Sequence, residues 1–251
     1  MRNENYIGRS FIGILIALLM NLDLLLAPIN KKLTVKSVFI SSIFNEATIF
    51  KQKSLVLTFA YIVVVILFLL LYGNFFRDHF ENTGIYVFLR NQNRFSWYKK
   101  YTIELLFYSM LYTFTYIFSV LMLSLYHTKG TINIFLLSAG LNAWLVFTMI
   151  IYTITLIENI ISIRYGIMIG ELIAILILAL LVQLCLSQQD YVFFQKYEIL
   201  RYINPINGMK LSILPTTTKK LEIIGIYMLE LGIIWNVGYF IFKKTDILNK
   251  K

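Results

Sequence analysis

Six long apolar segments constrain the fold of this chain more than any other feature. They cover residues 11–29, 55–73, 105–126, 134–157, 167–187 and 222–242. A helix needs about 20 apolar residues to cross roughly 30 Å of hydrocarbon, where lipid offers no partner to an unsatisfied backbone amide. The charged fraction of 14% is well below the soluble average of about 25%. The sequence therefore predicts an all-α polytopic membrane protein with six transmembrane helices.

The chain contains few residues of the kind that form linkers between domains. It has three prolines and twelve glycines in 251 residues, with no low-complexity tract and no internal repeat. We therefore predict a single integral-membrane domain over residues 1–251.

A charged insert separates the second and third apolar segments. Residues 74–100 read NFFRDHFENTGIYVFLRNQNRFSWYKK, in which a short amphipathic stretch follows Gly84 and basic residues close the segment. This pattern indicates a docking surface for a separate subunit. The alternative is a solvated loop, which is the commoner role of a charged stretch between spans.

The positive charge of the chain does not decide its orientation. If both termini are cytoplasmic, 12 of the 23 Lys and Arg residues lie inside and 11 lie outside, so the positive-inside rule is nearly balanced. The net charge of +10 favours contact with anionic membrane lipids over nucleic acid.

Two acids fall within apolar segments, Asp23 in the first and Glu230 in the sixth. Each costs several kcal/mol in hydrocarbon unless it is neutral, paired or facing water. Because the two helices run in opposite directions, both acids are expected at a similar depth on the outer side of the midplane. One interpretation is a wet path for a cationic substrate. The other is that Asp23 marks an early end of the first helix and Glu230 is a protonated packing residue.

Polar side chains recur at helical spacing along the third segment. The stripe includes Tyr108, Tyr112 and Tyr116, and the fourth segment has a shorter counterpart in Thr148, Tyr152, Thr155 and Asn159. Hydroxyls and amides of this kind commonly hold helices together in lipid. The alternative is that they line a translocation path.

Two local motifs precede or open apolar segments. Gly166 and Gly170 form a GxxxG pattern at the start of the fifth segment, which allows close backbone approach and predicts a dimer seam as one possibility. Glu104 follows Lys100 by one helical turn and is expected to pair with it at the surface.

The layout resembles the permease subunit of ABC-2-type exporters. In that family the insert after the second span carries an acid, a Gly, a short hydrophobic run, an Arg and a Lys. Here these positions hold Glu81, Gly84, residues 85–89, Arg94 and Lys99. Ile85 stands where the family usually has Thr, and no Pro precedes Arg94. The resemblance implies that an ATPase is contacted by Glu81, Gly84, Tyr86, Leu89 and Arg94.

Such a permease implies a separate cytoplasmic ABC ATPase that holds ATP and Mg²⁺, and a second permease copy. The chain itself has no GxxxxGK[ST] or GxGxxG motif for phosphate binding. It also lacks HExxH, GxSxG and a Cys/His cluster, so no enzymatic activity and no bound cofactor are expected. The resemblance places the protein in a bacterial cell membrane with both termini cytoplasmic.

The expected cargo is a hydrophobic or amphipathic molecule, and charge complementarity with the acids favours a cationic antimicrobial peptide such as a bacteriocin. Two other functions remain open at this stage. Intramembrane acids also suit a proton-coupled secondary transporter. The last possibility is a noncatalytic immunity or sensor protein, which binds a membrane-active peptide without moving it.

Overall fold

The computed structural model describes residues 6–22, 34–44, 55–80, 94–128, 131, 134–190, 204 and 217–244. Within these residues the chain forms helices and no β-strand, which confirms the predicted all-helical fold for this part. The helices are α1 (Tyr6–Ser10), α2 (Ile12–Met20), α3 (Val35–Phe44), α4 (Leu55–Tyr72), α5 (Phe75–His79), α6 (Arg94–Thr128), α7 (Ile134–Tyr165), α8 (Ile167–Asp190) and α9 (Thr217–Lys244).

Five stretches of the described chain are long and apolar enough to cross a membrane. They are Ile62–His79, Arg94–Thr128, Leu136–Tyr165, Ile167–Leu184 and Glu222–Lys243. The first predicted span, 11–29, overlaps α2, which together with α1 forms only a shorter apolar stretch, Tyr6–Met20. The rest of that span lies outside the described residues, so a sixth crossing stays a prediction.

Two helices extend well beyond the predicted spans. The third span was expected to begin at residue 105, but α6 begins at Arg94. The fourth was expected to end at residue 157, but α7 continues to Tyr165. Hydropathy marks the part of a helix that sits in hydrocarbon, whereas packing decides where the helix ends. Trp97 and Tyr98 of α6 are buried against other helices and extend the packed region to the start of that helix.

Helix α7 lies at the centre of the bundle. It contacts α4, α5, α6, α8 and α9. In the spanning windows of α7, α8 and α9, 78%, 22% and 17% of the residues are buried. The outer helices α8 and α9 instead expose large apolar side chains, among them Met168, Leu180 and Leu229. In a bilayer these side chains are suited to contact with lipid, since lipid tails are as apolar as leucine.

The GxxxG glycines form a tight hairpin between α7 and α8. Gly166 is the single residue between the two helices and has a φ of 99°, a conformation that glycine adopts without strain. A Cβ added at Gly170 would lie 2.9 Å from the carbonyl oxygen of Glu158 and 3.0 Å from Cβ of Ser162. The close approach that GxxxG permits is thus used within the chain, between α7 and α8. A dimer seam at these glycines stays a prediction.

The hairpin gives a prediction about Gly166. Replacing it with Ala should lower the free energy of unfolding by about 1 kcal/mol, because a side chain disfavours a positive φ. Gly225 is a matched control, since a Cβ added there meets no atom within 4 Å. Gly225→Ala should leave stability unchanged or raise it by about 0.5–1 kcal/mol. Thermal unfolding of the full chain in detergent measures both, and equal effects would contradict the hairpin geometry.

Candidate functional site

A break in the helix separates α4 from α5 at Gly73 and Asn74. The last bond of α4 runs from the Gly73 amide to the Leu69 carbonyl, at 2.6 Å. Asn74 occupies the N-cap position of α5 but makes no side-chain capping bond. A break of this kind leaves backbone groups without helical partners, and each is costly in an apolar interior.

The side chain of Asn159 on α7 replaces the lost backbone bonds. Its Nδ2 donates to the Tyr72 carbonyl at 2.9 Å, and its Oδ1 accepts from the Phe76 amide at 2.7 Å. One buried amide therefore bonds to both sides of the break. This arrangement holds the irregular backbone of α4–α5 against the central helix.

Helix α1 packs on the other side of the break. Arg9 donates through Nη1 to the Leu71 carbonyl at 3.0 Å, and Tyr72 donates its hydroxyl to the Tyr6 carbonyl at 2.6 Å. The hydroxyls of Ser10 and Tyr72 lie 2.7 Å apart. The end of α4 is thus fixed by polar groups from both α1 and α7.

Glu158 is the residue at this break that the sequence analysis missed. It is fully buried, and neither carboxyl oxygen has a hydrogen-bond partner among the described residues. A Cβ added at Gly73 would overlap the Glu158 carboxyl, so the acid lies directly against the broken backbone. The predicted fourth span ended at residue 157, which placed Glu158 outside the membrane. The apolar residues that continue to Ile163 were the signal that the helix goes on.

The predicted tyrosine stripe lies in the interface between α6 and its neighbours. Tyr112 is fully buried and donates to the Val64 carbonyl at 2.9 Å. Tyr108 is partly buried and stacks on Tyr72, with ring centroids 5.6 Å apart. Tyr116 is buried with its ring edge-on to Phe147. These contacts join helices, as the packing interpretation of the stripe expects, while the role of the stripe in a path stays a prediction.

The stripe on α7 also joins helices. Thr148 lies with its hydroxyl 2.7 Å from that of Thr113 on α6. The expected surface pair is confirmed: Lys100 Nζ lies 3.9 Å from Glu104 Oε1.

Glu230 lies on the wall of a groove between α7, α8 and α9. The groove has a volume of about 240 Å³, and most of its wall is apolar. Its lining includes Met149, Ile150, Thr153, Ile154, Ile157, Ile177, Leu181, Tyr227 and Ile234 together with Glu230. The structure therefore does not bring the predicted path residues together. Glu230 faces this groove, whereas the three tyrosines of α6 pack against neighbouring helices elsewhere. Asp23 lies outside the described residues.

Of the predicted ATPase-contacting residues, the structure describes Arg94. It begins α6 and donates through Nη1 to the Lys243 carbonyl near the end of α9, at 3.0 Å. Glu81, Gly84, Tyr86 and Leu89 lie outside the described residues. Arg94 therefore connects the insert to α9, the last helix.

The described residues contain no group of three or more His, Cys, Asp or Glu side chains placed to hold a metal ion. Comparison with protein-family models, with curated proteins and with solved structures finds no match.

The bridging amide gives a prediction about Asn159. Asn159→Ala leaves the Tyr72 carbonyl and the Phe76 amide without partners, and should lower the free energy of unfolding by about 2–4 kcal/mol. Asn236 is the control, because its exposed side chain bonds only within α9, to the Gly232 carbonyl. Asn236→Ala should change stability by less than about 0.5 kcal/mol. Similar losses in the two variants, measured by thermal unfolding, would show that the break does not depend on Asn159.

Proposed function

We propose that this protein is the transmembrane permease subunit of an ATP-driven ABC exporter. In this proposal residues 81–94 of the insert contact a separate cytoplasmic ATPase, and the permease works with a second permease copy. The observation that carries the proposal is the bond between Arg94 and the Lys243 carbonyl. It connects the end of the insert to α9, the helix that carries Glu230 into the groove.

The length of α6 suits it to transmit force. Its 35 residues extend over about 52 Å at 1.5 Å per residue, which exceeds the roughly 30 Å of hydrocarbon. Part of the helix therefore projects out of the hydrocarbon. Its first residues, 94–100, belong to the insert, so a subunit that binds the insert acts on the end of a long, continuous helix.

Three further contacts make α6 and α9 a coupled pair. Tyr98 donates its hydroxyl to the Trp235 carbonyl at 3.0 Å, and Trp235 donates through Nε1 to the Thr102 hydroxyl at 3.1 Å. A Cβ added at Gly238 of α9 would overlap the Tyr98 hydroxyl. Because the two helices are bonded and closely packed here, a shift of α6 is expected to move α9 with it.

The groove supports the class of cargo. An apolar wall with one carboxyl group suits a molecule that is hydrophobic over most of its surface and carries a positive charge. A cationic antimicrobial peptide such as a bacteriocin meets this description. A shift of α9 changes the groove wall through Tyr227, Glu230 and Ile234, which is how the ATPase would act on the cargo.

The proposal assigns nucleotide chemistry to the partner. ATP and Mg²⁺ bind the ATPase, and this chain supplies the helices and the contact surface. The protein is proposed to lie in a bacterial cell membrane with both termini cytoplasmic, so that the insert and the ends of α7 and α9 face the ATPase.

The coupling role is tested on Glu81 and Arg94. Glu81→Ala and Arg94→Ala should each reduce the amount of ATPase that co-purifies with the tagged permease in mild detergent, and should reduce permease-stimulated ATP hydrolysis several-fold. Gln183→Ala is the control, because Gln183 is an exposed polar residue in the half of α8 that lies away from the α7–α8 turn, and it is outside the insert. Undiminished association and hydrolysis in both insert variants would overturn the coupling role.

The cargo class is tested on Glu230. Glu230→Gln removes the charge of the groove wall with almost no change in shape, so it should lower the resistance that the exporter gives cells to cationic peptides several-fold. Resistance to neutral hydrophobic compounds should change less, since the apolar wall is intact. Minimum inhibitory concentrations for peptides of graded charge measure both. Unchanged resistance to every cationic peptide would exclude Glu230 from cargo binding.

A further inference from the structure

The buried acid at the helix break has no assigned role in export. Glu158 is fully buried in the centre of the bundle, and both of its carboxyl oxygens lack a hydrogen-bond partner among the described residues. It is adjacent in sequence to Asn159, whose side chain bridges the break. The carboxyl lies against Gly73 so closely that a methyl group there would overlap it.

An ionised carboxyl in this position is strongly unfavourable. Removing an unpaired carboxylate from water costs several kcal/mol even after the protein relaxes, so buried acids are paired, coordinated or neutral. In the described part of the chain, no Lys or Arg forms an ion pair with Glu158, and the ion pair described on α6 joins Lys100 to Glu104. The site therefore calls for a small positive ligand.

The chemistry around the break favours a proton over a metal ion. No cluster of three or more metal-ligating side chains occurs among the described residues. The Asn74 Oδ1 atom is buried and also lacks a partner there, and Asn74 follows Gly73 in the break. A proton neutralises the carboxyl and turns it into a hydrogen-bond donor, while Asn74 offers an acceptor that has no donor.

We propose that Glu158 is a proton-binding site that controls the α4–α5 break. With the proton bound, the neutral carboxyl packs on Gly73 and α7 stays closed against the break. When the proton leaves, the carboxylate needs water, and water reaches it by separating α7 from the broken backbone. Proton binding and closure of the break are thus one equilibrium. This inference does not depend on the proposed exporter function.

The charged and titratable groups on the surrounding helices fit this assignment. Glu171 lies near the start of α8, the helix that follows α7 after the Gly166 turn. On the break itself, Tyr72 is bonded to the Tyr6 carbonyl, and Asp78 of α5 accepts a bond from the Tyr6 hydroxyl at 3.2 Å. The other charged and histidine residues on the helices that contact α7 are Arg77 and His79 on α5, Arg94, Lys99, Lys100, Glu104 and His127 on α6, Asp190 on α8, and Lys219, Lys220, Glu222, Glu230, Lys243 and Lys244 on α9.

Infrared spectroscopy of the full chain in lipid vesicles tests the bound proton. At neutral pH the wild-type protein should show a protonated-carboxyl C=O band, and Glu158→Gln should reduce its area by one carboxyl equivalent. Glu104→Gln, on an exposed pair, should leave the band unchanged. If Glu158→Gln instead removes intensity from the carboxylate band, Glu158 is ionised at neutral pH and the proposal is overturned. A Glu158 signal that depends on sodium or potassium, compared with choline, would also overturn it in favour of a metal ion.

The folding of the variant is a second test. Gln resembles a neutral carboxyl in size and polarity, so Glu158→Gln should fold with a melting temperature close to that of the wild type. Failure of Glu158→Gln to fold, while Glu104→Gln folds normally, would overturn the proposal because it would show that the fold requires the negative charge.

Hydrogen–deuterium exchange tests the link to the break. Exchange of a peptide that covers residues 69–77 is compared between wild type and Glu158→Gln at the same pH, so that the intrinsic exchange chemistry cancels. The ratio of the wild-type exchange rate to the Glu158→Gln exchange rate should be near one in acidic buffer. In alkaline buffer the wild type should exchange several-fold faster than the variant. A ratio that stays near one at every pH would overturn the control of the break by Glu158.

Discussion

The backbone of a membrane helix needs an internal partner for every N–H and C=O group, and the break between α4 and α5 depends on one side chain to meet this need. Asn159 donates to the Tyr72 carbonyl and accepts from the Phe76 amide. It stands on α7, so the bond also fixes the position of α4–α5 relative to the central helix. The arrangement of α1 follows, because Arg9 and Tyr72 join it to the same broken end.

The position of α7 explains why it carries the buried acid and the amide that bridges the break. A helix surrounded by protein is the place where an amide or an acid is kept away from lipid, and α7 carries both Glu158 and Asn159. The exposed faces of the outer helices are mostly apolar, with Gln183, Glu222 and Asn236 among the polar exceptions. Glu230 is the informative departure: it is half-buried on α9 and faces the groove that α9 forms with α7 and α8.

Part of this structure follows from the sequence, and part depends on contacts that no local pattern contains. Apolar length predicted the helices, and one-turn spacing predicted the Lys100–Glu104 pair. The break at Gly73 was not predicted, because its backbone partner is Asn159, a residue 83 positions away from Phe76. Asn159 itself was recognised only as part of a polar stripe.

The candidate site was also predicted only in part from the sequence. Glu230 was identified as an acid within a span. The groove that it faces was not predicted, because three helices form it and the sequence of a single helix does not reveal it. Glu158 was missed because a hydropathy window ended one residue earlier, although packing continues the helix to Tyr165. The hydropathy of a segment indicates whether lipid or water surrounds it. The role of a buried acid depends instead on which part of the backbone lies against it.

The single-residue turn at Gly166 has a consequence for biosynthesis. With one residue between them, α7 and α8 leave no length of chain that can be threaded across the bilayer separately. Two apolar helices joined in this way form one unit that crosses a bilayer in opposite directions, so the direction of one dictates the direction of the other. Glu158 and Asn159 lie on the first helix of that unit, and their side chains face the α4–α5 break, which belongs to an earlier part of the chain.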